Sequence, residues 1–372
     1  MKSLFCPGGP IRRRPTETAQ AGFSLLELIV AMVIFVFVSA AIFGLLTLGR
    51  TDRNRASRRA DVLKNARVAI QMIGRDALNA GFGFNRNGAL APDNSISALL
   101  GTPADVNTSR DLMTSIIAGD GRFTNNLASD TTLRTDTVAF LYRDIDFNNG
   151  TIVSLQTAAA VSGSPSIVRL TSKNATDLAQ AQVYDLFLVE SNTSQVAVMA
   201  TAVNGSNTID AAPADPLGLN QALDGVGTAG SVLRQCTSPA DTNCTTYVAS
   251  LKRFFFVSYR VNPDGTLVRR VFGNNRGAAA AAQIQELPLA YGVEDFQIKY
   301  VLDDGTVTSD PSVGADGVPG TADDDYSAYN RIRQFTVTIK VQSNERDEKT
   351  KLPISITMSA TYSTRNMEYD AG

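Results

Sequence analysis

The stretch GFSLLELIVAMVIFVFVSAAIFGLLTL, residues 22–48, decides the fold of the first part of this chain. Its segment 28–48 holds 21 consecutive residues without a charge. Because a helix rises about 1.5 Å per residue, this segment is long enough to cross a hydrocarbon core of about 30 Å. The sequence therefore predicts one membrane-spanning helix near the N-terminus.

The position of Gly22 distinguishes this segment from an ordinary secretory signal. Such a signal carries its small residues after the apolar stretch, so that cleavage removes the stretch. Here Gly22 precedes it, at the end of a polar leader, residues 1–22, with Lys2 and the three arginines 12–14. Cleavage after Gly22 would leave the whole apolar helix on a mature chain that begins at Phe23.

Glu27 is the one carboxylate in this apolar segment. A charge near the centre of a membrane helix costs about 2.5 to 3.5 kcal/mol on insertion scales, so a buried carboxylate needs a partner. After cleavage, the new amine of Phe23 would lie about 6 Å from Glu27 along the helix axis. An amine and a carboxylate can therefore neutralise each other between neighbouring copies.

The junction 22–32, GFSLLELIVAM, resembles the prepilin cleavage and methylation motif of type IV pilins and pseudopilins. The resemblance implies that prepilin peptidase cuts between Gly22 and Phe23 and methylates the Phe23 amine. It also implies that Glu27 helps to dock the subunit into the filament. The alternative is a plain signal anchor that is not cleaved, in which Glu27 reaches the membrane interface.

Charges do not settle the orientation, because arginines flank both ends of the apolar segment. The family resemblance implies a leader in the cytoplasm, a single pass through the bacterial inner membrane and a periplasmic head. The arginine-rich segment 50–59 is compatible with a nucleic-acid patch. Contact with lipid head groups explains it more simply, so we predict no nucleic-acid partner.

An amphipathic pattern follows the membrane segment and predicts that the helix continues to about Asn79. Its apolar residues recur at steps of three and four: Val62, Ala66, Ala69, Ile70, Ile73, Ala77 and Leu78. The segment 75–84, RDALNAGFGF, ends at glycines and resembles the R-x-A-G-F/Y stretch of PilW-type minor pilins.

Short apolar or alternating runs beyond this point predict strands. They are residues 136–143, 151–156, 167–171, 184–189, 195–200, 255–261 and 267–272, with later rows at 296–302, 335–341 and 354–362. Rows with one apolar face indicate an antiparallel sheet packed on one side, with the N-terminal helix as its cover. Segments 85–135 and 202–246 have the composition of loops.

The predicted fold class is thus α+β, a long membrane-spanning helix packed on a mostly antiparallel β-sheet head. We predict four parts: the leader 1–22, the membrane helix 23–49, its amphipathic continuation 50–84 and the β-rich head 85–372.

Composition limits the chemistry of the chain. Among 372 residues there is no histidine, which removes the commonest general base and the commonest metal ligand, and the net charge is −2. We find no nucleophile elbow and no phosphate loop, so we do not expect an enzyme.

Two further sites are predicted outside the helix. Cys236 and Cys244 are close in sequence, and in an oxidising compartment they are expected to form a disulfide; two free thiols are the alternative. The loop 303–330 carries seven aspartates, and a Ca²⁺ ion could bind the four listed here: Asp316, Asp323, Asp324 and Asp325. A solvated acidic loop without an ion is the alternative.

The family resemblance implies a minor pilin of PilW type that helps to initiate the assembly of type IV pili. Its partners would be other minor pilins, the major pilin, prepilin peptidase, the inner-membrane assembly platform and the lipid bilayer. A pseudopilin of a type II secretion system is the second hypothesis. A pilus-tip adhesin or DNA-uptake subunit that uses segments 85–135 and 202–246 is the third.

Overall fold

The computed structural model describes residue 22 and residues 24–364, except 86, 105, 107–109, 129, 131, 192–194 and 221–248. Contacts divide the chain into two compact units, Met1–Ala56 and Ser57–Gly372. Helix α1 (Leu25–Asn79) contributes to both. Its predicted end near Asn79 is confirmed, and Gly81 follows with a φ of 82°, a conformation that glycine adopts without strain.

The described part of the second unit contains a short helix, α2 (Ser95–Leu100), and strands in two sheets. In chain order the strands are β1 (Ala89–Pro92), β2 (Arg110–Met113), β3 (Ile116–Thr124), β4 (Arg134–Arg143), β5 (Val153–Val161), β6 (Ser164–Ser172), β7 (Leu186–Ser191), β8 (Gln195–Met199), β9 (Ala202–Asn204), β10 (Thr208–Ala211), β11 (Ala249–Val261), β12 (Leu267–Phe272), β13 (Ile284–Ala290), β14 (Val293–Leu302), β15 (Val307–Thr308), β16 (Ile332–Arg346) and β17 (Pro353–Ser363).

The larger sheet is built around β11. Its main path is β2-β1-β8-β7-β11-β5-β6-β10-β9. Strands β4 and β12 also pair with β11, and on their other sides β4 pairs with β3 and β12 pairs with β13. The smaller sheet has the order β15-β14-β16-β17. The described pairings are antiparallel except the one between β1 and β8, so the predicted α+β class is confirmed.

Helix α1 covers the main hydrophobic core with the predicted stripe from Val62 to Ala77. Alternate residues of β14 and β16, such as Phe296 and Phe335, are fully buried in the same core, as their spacing predicts. Leu78 departs from the stripe, because its side chain is 47% exposed whereas that of Asp76 is buried. A second core lies among β5, β6, β7, β8 and β10.

The loop predictions for 85–135 and 202–246 are wrong for part of their described residues. The first segment contains β1, α2, β2 and β3, and the second contains β9 and β10. These strands are short, or interrupted as in β3, where a bulge separates Gly119 from Phe123 in the pairing with β4. Such strands are too brief or irregular to leave a clear alternation in the sequence.

Candidate functional site

Gly22 lies at the start of the described chain, three residues before Leu25, the first residue of α1. It is exposed, and a Cβ atom placed on it would meet nothing within 4 Å. The described residues of the first unit therefore do not cover the main chain at Gly22. Phe23, the other predicted processing residue, lies outside the described residues.

Ser24 and Glu27 cap the N-terminus of α1 reciprocally. The Glu27 amide donates to Ser24 Oγ at 3.2 Å, and the Ser24 amide donates to Glu27 Oε2 at 3.0 Å. This capping box satisfies two amide groups that a helix N-terminus leaves without an intrahelical partner. It turns the Glu27 carboxylate back towards the start of the chain.

The cap is compatible with cleavage after Gly22. Both donors belong to Ser24 and Glu27, and the Ser24 amide stays inside the chain when the bond between Gly22 and Phe23 is cut. The cut would add a positively charged amine at Phe23, one residue before the cap. A carboxylate held near a new amine can then form an ion pair with its own amine or with that of a neighbour.

The apolar part of α1 is exposed along its whole length. The large apolar side chains from Leu25 to Leu48 are exposed by about half or more, and the most apolar window of the helix buries none of its residues in the described structure. Its length and composition suffice to cross a membrane. An unpartnered apolar surface of this size indicates a membrane anchor.

Asp76 is a polar site that the sequence reasoning missed. Its side chain is buried on α1 and accepts hydrogen bonds from Arg269 Nε at 2.7 Å and from the hydroxyls of Tyr259 and Tyr142 at 2.5 and 3.1 Å. Burial, together with the nearby Asp76 carboxylate, raises the pKa of Tyr259. A single aspartate three residues after Ile73, within the apolar stripe, is the signal that could have revealed it.

The predicted calcium ligands each have local hydrogen-bond partners. Asp324 accepts from the amides of Gly314, Gly320 and Thr321 at 3.0, 2.5 and 3.3 Å. The Thr321 hydroxyl and the Asp316 amide donate to the Asp323 carboxylate at 2.8 and 3.1 Å, and these hydrogen bonds hold the pKa of Asp323 below its usual value.

The other two carboxylates also bind neighbouring groups. Asp316 accepts from the Val318 amide at 2.7 Å, and Asp325 accepts from the amide and hydroxyl of Ser327 at 2.9 and 2.6 Å. In the described part of the chain, no three Asp, Glu or Cys residues are grouped so that they could hold a metal ion. The calcium site stays a prediction.

Cys236 and Cys244 lie outside the described residues, so their disulfide also stays a prediction.

The comparison with protein families gives one match. Residues 18–43 match the family model of the prokaryotic N-terminal methylation motif. The match covers the junction at Gly22, the capping box of Ser24 and Glu27, and most of the apolar segment 28–48. No curated protein and no solved structure matches the chain. The chain thus carries a prokaryotic N-terminal methylation motif on a long apolar helix, which is consistent with a type IV pilin-like protein and supports a pilin-like or pseudopilin substrate of prepilin peptidase.

Proposed function

We propose that this protein is a minor pilin of PilW type, which is processed by prepilin peptidase and helps to initiate assembly of type IV pili. The observation that carries the proposal is the methylation-motif match at 18–43, with the capping box of Ser24 and Glu27 at the start of an exposed apolar helix. The short 75–84 segment, which resembles PilW-type minor pilins, supports the finer assignment.

In the proposed mechanism, the apolar part of α1 holds the precursor in the inner membrane, with the leader in the cytoplasm and the head in the periplasm. Prepilin peptidase cuts the bond after Gly22 and methylates the amine of Phe23. The helix is retained and can move sideways from lipid into a filament, where apolar side chains of neighbouring helices replace lipid.

Glu27 would supply the selectivity of docking. An unpaired carboxylate in hydrocarbon is unfavourable, and pairing with the positive amine of a neighbouring subunit removes that cost. The capping box holds the carboxylate against the Ser24 amide, one residue along the chain from the amine that cleavage would create. Other minor pilins, the major pilin and the assembly platform are the proposed partners.

A pseudopilin of a type II secretion system is the second candidate, because the observed motif is shared with pseudopilins. The two differ in the filament that they enter. Purified pili and secretion pseudopili from the same cells can be probed for the mature chain, and its presence in pili alone supports the minor-pilin assignment.

The experiment that tests the proposal is the intact mass and N-terminal sequence of the membrane-extracted protein, from cells with and without prepilin peptidase. We expect a chain that starts at methylated Phe23 only when the peptidase is present. Glu27→Gln should still be processed but should enter filaments poorly. An unprocessed chain in both strains would contradict the proposal and leave a plain signal anchor.

We also propose the disulfide between Cys236 and Cys244. Alkylation of the unfolded protein without reductant should leave both residues unmodified, and prior reduction should expose both. Labelling without reduction would contradict the disulfide.

A further inference from the structure

Strand β17 is an edge strand that lacks the usual protection. Among the described residues, β17 pairs only with β16, and its 11 residues, PISITMSATYS, contain no charge and no glycine. Pro353, its only proline, is the first residue, where it leaves the rest of the edge unaffected. Natural edge strands are normally short, charged, bulged or interrupted by proline, because an open edge can pair with another chain.

The other described edges show these protective features. Strands β2, β9 and β15 have four, three and two residues. Strand β13 carries Glu286 and Pro288, and β3 carries Asp120 and Arg122 within its bulge. The open edge of β17 is therefore an exception among the terminal strands that the structure describes.

The pairing register identifies which amide groups face the open edge. Thr364 donates its amide to the Arg333 carbonyl at 3.0 Å, and in the same register Met358 is opposite Ile339. In an antiparallel pair, hydrogen-bonded positions alternate, so the even-numbered residues of β17 bond to β16. The amides and carbonyls of the odd-numbered residues point to the open edge: Ser355, Thr357, Ser359, Thr361 and Ser363.

The side chains of β17 suit a second strand on this edge. The odd-numbered residues are exposed Ser and Thr, and the even-numbered residues from Ile354 to Tyr362 are apolar and only half-buried. A further strand would extend both faces, covering more of the apolar row and meeting small hydroxyls on the other side. On the apolar face, an occupant would itself carry uncharged side chains, because an unpaired charge would be desolvated against the half-buried row.

A second copy of this chain does not fit the edge. Arg58 Nη1 donates to the Arg346 carbonyl beside the start of β17, and the Tyr362 hydroxyl near its end donates to the Ile70 carbonyl, both at 2.7 Å. In the second unit, α1 therefore runs in the same direction as β17. Antiparallel pairing of two β17 strands would reverse the second-unit part of α1 in one copy relative to the same part in the other.

Parallel pairing of two β17 strands is unfavourable for another reason. It would keep the helices aligned but turn one strand over, so that the apolar row of one copy met the hydroxyl row of the other. Two copies whose second-unit parts of α1 run in the same direction therefore cannot pair through β17 with matched faces.

We propose that the open edge of β17 binds an extended strand of a different pilin-like subunit, uncharged and alternating between apolar and small polar residues. The identity of the partner as a filament subunit rests on the proposed function. Main-chain hydrogen bonds from Ser355, Thr357, Ser359 and Thr361 supply the attraction, and the alternating side chains supply the register.

The test removes one edge amide and leaves the ladder with β16 intact. Ser359→Pro deletes an amide that points away from β16, and Ser359→Ala is the matched control, which loses the same hydroxyl but keeps the amide. A photoreactive amino acid at Thr361 of the full-length protein, in its own cells, reports on the occupant of the edge. Mass spectrometry then identifies the cross-linked peptide.

We expect an adduct with a strand of another protein that carries an N-terminal methylation motif. Its yield should fall about five-fold or more in Ser359→Pro and stay close to that of the parent in Ser359→Ala. Thr357→Pro, with Thr357→Ala as its control, serves as a second pair if Ser359→Pro lowers the melting temperature.

Three outcomes would overturn the proposal. They are an adduct only with another copy of this chain or with its own residues 365–372, an adduct of equal yield in the proline and alanine variants, and no adduct. The N-terminus of each variant is sequenced in parallel. A mature Phe23 with a failed cross-link contradicts the edge proposal alone, whereas an uncleaved leader contradicts the proposed function.

Discussion

Asp76 on α1 and Arg269 on β12 form a buried ion pair, with Arg269 Nε 2.7 Å from Asp76 Oδ2. The hydroxyls of Tyr259 and Tyr142 donate to the same carboxylate. These contacts join the end of the helix to three strands of the larger sheet. Because the Asp76 side chain is buried, each of these contacts contributes more here than it would at the surface.

Asp76→Ala should destabilise the head by about 3 to 5 kcal/mol, because it leaves the Arg269 guanidinium buried without its counter-ion. Urea unfolding of the two proteins measures the difference. Asp304→Ala is the matched control, since Asp304 also pairs with an arginine, Arg331, at 2.7 Å but at an exposed position. The control should unfold like the parent, and equal losses in both variants would contradict a special role for the buried pair.

The stability of the head should fall as the pH rises from about 4 to about 7. Burial, with Asp120 nearby, raises the pKa of Asp136 to about 7, although the amides of Gly121 and Ile298 donate to its carboxylate at 2.8 and 2.7 Å. A raised pKa means that the folded protein holds this proton more tightly than the unfolded chain. Folding stability is therefore lost as the pH passes from the unfolded value to the folded one.

The comparison of the parent with Asp136→Asn isolates this group. Asp185, whose pKa burial raises to about 6, contributes a slope of the same sign in both proteins. The free energy of unfolding, measured between pH 4 and pH 8, should decline more steeply in the parent. Parallel curves would show that Asp136 is ionised throughout this range.

The elements that the sequence predicts well are those with long periodic patterns. Residues 28–48 and the stripe from Val62 to Ala77 define α1, and the alternation around Phe335 defines β16. The positions that it does not predict depend on contacts between distant segments. Asp76 meets Arg269 across 193 residues of sequence, so neither segment alone indicates that the aspartate is buried.

The capping box should affect assembly without affecting processing. Ser24→Ala removes the hydroxyl that accepts from the Glu27 amide, a contact worth on the order of 1 kcal/mol at a helix N-terminus. Ser24→Thr keeps a hydroxyl at the same place and serves as the control. The fraction of mature protein in purified filaments should fall several-fold for alanine and stay near the parent value for threonine; equal incorporation would contradict a role for the cap.

Calcium binding to the loop around Asp323 and Asp324 has a direct thermal test. An ion that binds only the folded head raises the melting temperature in proportion to the logarithm of its concentration. The calcium prediction therefore requires a higher melting temperature in millimolar Ca²⁺ than in chelator, and a smaller difference in Asp323→Ala. Equal melting temperatures would contradict the site. The hydrogen bonds that Asp324 accepts from local amides would then hold the loop without an ion.

Gly74 allows α1 to approach β17 closely. A Cβ atom at this position would lie 2.3 Å from Tyr362 Cε1 and 2.7 Å from its hydroxyl oxygen, which donates to the Ile70 carbonyl. Gly74→Ala should therefore displace the tyrosine ring and break that hydrogen bond. Overpacking costs about 1 to 3 kcal/mol, which exceeds the gain in helix propensity of up to about 1 kcal/mol.

Gly49→Ala is the matched control, because Gly49 lies on the same helix and its added Cβ would meet nothing within 4 Å. We expect Gly74→Ala to have a lower melting temperature than the parent protein. Gly49→Ala should show no such decrease. Removing the ring should relieve the clash, so Gly74→Ala combined with Tyr362→Ala should be more stable than the sum of the two single changes predicts. Simple additivity would mean that the helix does not depend on this contact with β17.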